Sequence, residues 1–387
     1  MKKPKAYFDH SATTPLDPEV FKEMKPYFYE TFGNASSIHA FGQEAMAAVD
    51  ESREIVADFL GSKTNEIFFT SGATESDNLV ILGLAKAGEH IITSKIEHPA
   101  ILEPCREMEK RDIEVTYIDV SSKGLVSVEE IKKAIKENTR LVSIMYVNNE
   151  IGTIQPIAEI GELIKELNKS RKNKIYFHTD AVQAANYCKM KVDELGVDLL
   201  SLSGHKIYGP KGIGVLYKRA GVPLNPIQFG GHQEKGLRPG TLNVPGIVGL
   251  GKAIELILKE EDSNQKIKKL RDKLVSEILK IIPNSQVNGD LKKRVPGNAH
   301  FSFYGVEGES LLLLLDQEGI AVSTGSACSS GSLEPSHVLM SLGMEPLLAH
   351  GSLRVTLGKF NTEADIDYLI KALPGIVASL RKMSPIK

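Results

Sequence analysis

Ser203-Gly204-His205-Lys206-Ile207-Tyr208-Gly209-Pro210-Lys211-Gly212 follows directly on Asp198-Leu199-Leu200-Ser201-Leu202, an apolar run that reads as a buried strand. Most lysines are solvated surface charges. Lys206 is different because small residues and glycines surround it, which suits a ligand at a strand's end better than it suits packing. Upstream, His178-Thr179-Asp180-Ala181-Val182-Gln183 closes a second apolar run, Ile175-Tyr176-Phe177. Two polar clusters on two strand ends predict a sheet whose carboxyl edge carries a site.

The rest of the chain fits that frame. Other apolar runs occur at Glu66–Phe69, His90–Thr93, Ile113–Ile118, Leu141–Val147 and Ile213–Tyr217. They are short, near-continuous and rich in β-branched residues, as expected of strands covered on both faces. Helical patterns such as Ser127–Lys136 and Ile157–Asn168 alternate with them, predicting an α/β unit with a mostly parallel seven-stranded sheet. After about Gly251 the texture changes. The charged stretch 259–266 reads as the solvated face of a connecting helix leading into Ile267–Ile281. Strands at Ala299–Phe303 and Leu353–Leu357, with helices at Ser310–Glu318 and Thr362–Arg381, predict a smaller α+β unit.

Bulk properties exclude several classes. At 387 residues the chain is too long for one core, so two domains are expected. Apolar content of 42% with 25% charged residues is ordinary for a globular protein. The 47 basic and 49 acidic residues leave a net charge of −2, which suits neither nucleic acid nor an acidic membrane surface. Met1-Lys2-Lys3-Pro4-Lys5 has the charge of a signal peptide, but polar residues follow where its apolar core belongs. No run approaches a membrane span. Three cysteines without a C-x-x-C pair argue against a disulfide framework and against structural zinc. A cytoplasmic setting is the expectation.

Five polar clusters share one location. Thr70–Thr74, Glu97-His98, Asn148-Asn149-Glu150, Asp180 with Gln183, and Ser203–Lys206 each follow an apolar run, so they are expected to converge at the sheet's carboxyl edge. Ser71-Gly72-Ala73-Thr74 also opens a helix, where backbone N–H groups can hold a phosphate, although such a turn by itself is more often a plain N-cap. A lysine and an aspartate on neighbouring strand ends are the two groups that pyridoxal 5'-phosphate requires. One links the cofactor, and the other keeps the pyridine nitrogen protonated. Gly209–Gly214 is no nucleotide fingerprint, because it precedes a strand.

Ser323-Thr324-Gly325-Ser326-Ala327-Cys328-Ser329-Ser330-Gly331-Ser332 cannot build a core and reads as an exposed, mobile loop. A thiol there is either incidental or a nucleophile that travels. Cys105 and Cys188 sit in segments suited to ordinary packing.

Phe8–Pro15, Phe69–Asn78, Ile96–His98, Val147–Gly152, His178–Gln183, Ser203–Gly212 and Ser323–Ser330 together resemble a class I (NifS/IscS-like) cysteine desulfurase serving iron–sulfur cluster assembly. The resemblance runs from about Phe8 to Pro385. It implies the aspartate-aminotransferase-like fold (fold type I). Residues 14–256 would form the large cofactor-binding domain, and 1–13 with 257–387 a small domain carrying the cysteine loop. It also implies conversion of L-cysteine to L-alanine, with sulfur left on Cys328 as a persulfide. Lys206 would hold the cofactor and move the α-proton, and Asp180 would pair with the ring nitrogen. Gln183 and Asn149 would bond the phenolic oxygen, and His98 would stack on the ring and act as an acid–base group. Ala73, Thr74, Ser203 and His205 would hold the phosphate, and Thr241 would reach the phosphate of a partner subunit, implying a homodimer. Arg354, with Asn149, would clamp the substrate carboxylate. An iron–sulfur scaffold or other sulfur acceptor would be the partner, with Cys328 a candidate transient cluster ligand and no intrinsic metal.

Three departures from the family pattern stand out. His232 occupies a usual glycine position, which predicts an adjusted loop if positive φ is needed there. Pro239 replaces a usual serine. The chain ends at Ser384-Pro385-Ile386-Lys387 without the longer tail some relatives use to grip a scaffold, so the docking mode stays open. A selenocysteine lyase, or another lyase or aminotransferase of this fold, is the nearest rival. A transaminase needs no cysteine on a mobile loop. A non-catalytic sulfur or cluster scaffold would have no use for Lys206 beside Asp180 and His98.

Overall fold

The computed structural model describes residues 5–259, 263–324 and 335–384. Its strands are β1 Ala6–Tyr7, β2 Ile67–Thr70, β3 His90–Ser94, β4 Glu114–Ile118, β5 Thr139–Ser143, β6 Tyr176–Asp180, β7 Leu199–Ser203, β8 Gly214–Lys218, β9 Ser285–Val287, β10 Asn298–Phe303, β11 Ile320–Ala321 and β12 Ser352–Thr356. Strands β2 to β8 form a seven-stranded sheet in the order β2-β8-β7-β6-β5-β3-β4. Only β8 runs against its neighbours; the other pairings are parallel. The carboxyl ends of β2, β3, β5, β6 and β7 therefore lie on one edge.

Burial on both faces explains the apolar runs. In β2, Phe68 packs with Leu79 and Val80 of the helix Ala73–Leu84. Its neighbours Ile67 and Phe69 face the opposite layer, with Val56 of Ala40–Leu60 and Ile254 of Val244–Lys259. Successive side chains thus serve two helical layers, and every residue of β2, β3 and β7 is buried. Phe177 of β6 is 0% exposed. Truncating it to alanine is expected to cost about 3–5 kcal/mol, transfer and cavity terms together.

A separate core collects Phe301, Phe303, Leu353, Val355, Leu311 and Leu369. It lies between the antiparallel sheet β12-β10-β9 and the helices Ser263–Ile281, Gly308–Gln317 and Glu363–Met383. Thr362 starts the last helix through a capping box with Asp365. The N-terminal Ala6 and Phe8 belong to this core, because β1 pairs in parallel with β11.

Two details differ from the sequence expectation. The run Leu141–Val147 overshoots β5, which stops at Ser143. Beyond it the chain stays tied to β6, Ile144 and Tyr146 N–H donating to the His178 and Asp180 carbonyls at 3.1 and 2.8 Å. His232 needs no positive φ, sitting at φ −90°, and the left-handed residues are Glu234 and Lys235 at 45° and 58°. Glu234 is held by Arg53 Nη2 at 2.6 Å and by Phe69 N–H at 2.9 Å. No helix among the described residues is long and apolar enough to cross a membrane.

Candidate active site

The five polar clusters border one cavity of about 550 Å3 at the carboxyl edge of the large sheet, a volume that suits a cofactor-sized ligand. Ala73 and Thr74 meet there with Ser203 and His205. Lys206, Asp180, Gln183, His98, Asn149 and Arg354 complete the lining. A second cavity of about 600 Å3, beside Cys188 and Leu256, is bordered by the exposed ion pair Lys189–Glu194, not by a buried carboxyl such as Asp180. Chemistry, not size, singles out the first.

The helix Ala73–Leu84 begins at Gly72, and its first bonds run from Glu75 and Ser76 N–H to the Gly72 carbonyl. Ala73 and Thr74 N–H therefore precede any intrahelical acceptor and stand at the helix's positive end. A Cβ on Gly214 would come 2.7 Å from the Gly72 backbone, so glycine lets β8 pass against this turn. Glu75 steadies the turn by accepting from Ser71 N–H at 2.8 Å and from Arg238 Nε at 2.8 Å.

Lys206 ends a short helical turn after β7. Its ammonium donates to the Ser11 and Ala12 carbonyls at 2.5 and 2.7 Å. The N-terminal segment lies across the site, since Gln183 Nε2 also donates to the Ser11 carbonyl at 3.0 Å and Thr13 Oγ1 meets His205 Nδ1 at 3.1 Å. Two residues after Lys206, Tyr208 adopts φ 62°, a strained conformation for a bulky residue. Its N–H donates to Thr14 Oγ1 at 2.8 Å, which helps hold the strain.

Asp180 closes β6 and accepts from Val182 N–H at 2.9 Å. Burial pushes its carboxyl up to about 6, against the pull of that N–H and of Lys206. Glu97 is buried too, accepting from Ser94 Oγ at 2.5 Å and Met145 N–H at 3.0 Å, and burial lifts it to about 8. His98 caps the helix Pro99–Glu109, its Nδ1 accepting from Ala100 N–H at 3.1 Å. Burial, then the charge on Lys206, drives it down to about 4. It is thus a neutral ring whose proton sits on Nε2.

Asn149 tips a turn built by Asn148, whose Oδ1 accepts from Glu150 and Ile151 N–H. Arg354 on β12 reaches the Asn149 carbonyl and the Asp9 carboxylate. Cys328 lies outside the described residues. The chain approaches that segment through Ser323, which exchanges two backbone hydrogen bonds with Arg354. On the far side Ser336 Oγ donates to Glu150 Oε2 at 2.5 Å, and His337 Nε2 meets the Glu97 carbonyl at 3.0 Å. Thr241 is exposed and does not border this chain's own cavity.

The donor set fits pyridoxal phosphate. An amine and a carboxyl border the same cavity as a helix start with two hydroxyls and an imidazole beside it. Sequence reasoning missed Asp9, the Ser11 and Ala12 carbonyls, the strain at Tyr208, and Asp77 in the same cavity. Only Asp77 had a signal, its spacing of four from Ala73 along the helix.

Comparison with known proteins agrees with this chemistry. The profile of the class-V aminotransferase family matches residues 6–369. The chain is 52% identical to a cysteine desulfurase IscS of Dictyoglomus turgidum, over 100% of this chain and 98% of that one. It is 53% identical to a cysteine desulfurase IscS of Methanosarcina thermophila, over 98% and 94%. A solved NifS-like protein superposes with a TM-score of 0.90 at 40% identity, covering 97% of this chain and 99% of the other. The structure of SspA in complex with cysteine gives 0.81 at 38% identity, covering 92% and 100%.

Proposed function

Because the chain belongs to the class-V aminotransferase family and is a pyridoxal-phosphate-dependent cysteine desulfurase, we propose that Lys206, His98 and Cys328 are the catalytic residues with which it takes sulfur from L-cysteine for iron–sulfur cluster assembly. The observation that carries this reading is the meeting of Lys206, Asp180 and the Ala73–Thr74 turn around one cavity.

Bound pyridoxal phosphate supplies an electron sink for the pair released at the substrate α-carbon. The residues do the rest. Ala73 and Thr74, with Ser203 and His205, hold the phosphate at the helix start. Asp180 keeps the ring nitrogen protonated, and Gln183 and Asn149 bond the phenolic oxygen. His98 stacks on the ring and manages a proton near the substrate thiol. Arg354 clamps the substrate carboxylate, and Lys206 Nζ moves the α-proton. The Cys328 thiolate takes the sulfur as a persulfide, the bonding pair staying with the carbon fragment, which gains protons and leaves as alanine.

In this reading residues 14–256 are the cofactor-binding unit, and 1–13 with 257–387 the smaller one. The enzyme works as a homodimer in which Thr241 reaches the partner's phosphate, and the position of Thr241 away from its own cavity supports that. An iron–sulfur scaffold protein takes the sulfur. The free thiols Cys105 and Cys188 suit a reducing cytoplasm.

Borohydride reduction of the yellow holoenzyme, followed by peptide mapping, tests the assignment. The label is expected on Lys206, and Lys206→Ala is expected to carry none. A label on another lysine in that variant overturns it.

A further inference from the structure

A second carboxyl borders the cavity that holds Asp180. Asp77 stands on the helix Ala73–Leu84, four residues from Ala73 and three from Thr74, so it shares the face that begins at the phosphate turn. It is 0% exposed, and neither carboxyl oxygen has a hydrogen-bond partner. A buried charge in that position would be uncompensated.

The neighbours offer no counter-ion. His178 Nε2 lies 3.6 Å from Asp77 Oδ1. Its ring is already engaged, Nδ1 with Ser143 Oγ at 2.9 Å and Nε2 with Ser201 Oγ at 3.0 Å. Burial drives His178 down to about 3, so it stays neutral. The charged groups felt from β6 and from the turn after β3 are Asp180 and Glu97, both acidic. Lys206 is occupied by the Ser11 and Ala12 carbonyls. Burial first, then Asp180, raises the Asp77 carboxyl well above the carboxylate range, with Ser201 opposing the shift without a well-formed hydrogen bond.

We propose that Asp77 is a positioning residue that keeps its proton in the folded enzyme, leaving Asp180 the one anion presented to the cofactor's ring nitrogen. The inference rests on the role given to Asp180 above. A neutral carboxyl there spares the Asp180 carboxylate a second buried charge beside it. Asparagine has the same shape, no charge and a donor.

The infrared difference spectrum of wild-type apoprotein minus Asp77→Asn is the direct test. A protonated-carboxyl C=O band that vanishes in the variant is expected, and a difference containing only carboxylate bands overturns the proposal. Because no cofactor is present, this outcome does not depend on the role of Asp180. Cofactor release then tests the positioning. Asp77→Asn should release pyridoxal phosphate within about twofold of wild type and leave the pH titration of its absorbance in place. Release more than about tenfold faster, or a titration displaced by about one pH unit, in Asp77→Asn overturns the proposal. Undiminished turnover in Asp180→Ala, by contrast, would remove the role of Asp180 while leaving the infrared result standing.

Discussion

Arg354 Nη2 donates to Asp9 Oδ1 at 2.8 Å, so an aspartate at the start of the chain holds an arginine near its end. Arg354 is 3% exposed, and its Nη1 reaches the Asn149 carbonyl at 3.1 Å. Asp9 is therefore both counter-ion and aiming device for the proposed substrate-carboxylate clamp. Asp9→Ala should raise KM for L-cysteine about tenfold and leave kcat within about threefold, since a charge-assisted contact used in binding is lost. Steady-state alanine release measures both constants. An unchanged KM would show that Arg354 is oriented by other groups.

Acid stability follows from the buried histidines. Burial drives His10, His90, His98 and His205 down to about 4, and His178 and His300 to about 3, against about 6.5 in an unfolded chain. Below about pH 6.5 the unfolded chain takes up protons that the folded chain refuses, so stability falls as the pH drops toward 4. Asp180, Glu97, Asp77, Glu150 and Asp198 are raised and act in the opposite sense, their contribution being lost as pH rises through the folded values. The six histidines outnumber the five carboxyls. The urea midpoint of the apoprotein should be lower at about pH 5 than at about pH 7.5; an equal or higher midpoint would mean that these histidines bind protons without unfolding.

Much of the scaffold was legible because burial on two faces leaves continuous apolar runs, as in Ile67–Thr70 and Leu199–Ser203. The helices at Ser127 and Thr362 were legible as helical patterns, and in the structure each of these side chains caps its helix by accepting from a first-turn N–H. The convergence of Thr74, His98, Asn149, Asp180 and Lys206 followed from one rule about strand ends. What stayed hidden has no local signature. The pairing of Asp9 with Arg354 joins the two ends of the chain. The left-handed Tyr208 is held by Thr14, far away in sequence. Asp77 reads as an ordinary polar residue until the helix is laid on the sheet beside Asp180. The end of β5 was missed because Ile144–Val147 is as buried as the strand itself.

The proposed homodimer should depend on an exposed apolar surface. Ile38 is 92% exposed and Phe229 89%, and Phe32 stacks on Phe41 at 5.7 Å with both rings largely open. Large apolar side chains left in water this way favour association. Phe32→Glu with Ile38→Glu should shift sedimentation from dimer toward monomer and lower alanine release, because Thr241 would no longer reach a neighbouring site. Retention of a wild-type dimer would show that this surface is not the interface.

The sulfur-transfer step should separate cleanly from cofactor binding. Cys105 is fully buried on the helix Pro99–Glu109, and burial raises its thiol far above neutral pH. Cys188 is raised to about 12 for the same reason. Attack on sulfur needs a thiolate, which neither of these provides at neutral pH. Cys328 belongs instead to a Gly/Ser-rich segment whose flanks meet the proposed site directly, Ser323 through Arg354 and Ser336 through Glu150. Cys328→Ala should bind pyridoxal phosphate and L-cysteine as wild type does, yet release alanine at least about a hundredfold more slowly. Cys105→Ala and Cys188→Ala should keep alanine release within about threefold of wild type. Mass spectrometry after incubation with L-cysteine should find the added sulfur on Cys328 alone. Persulfide and alanine formed at near-normal rates by Cys328→Ala would move the nucleophile to another residue.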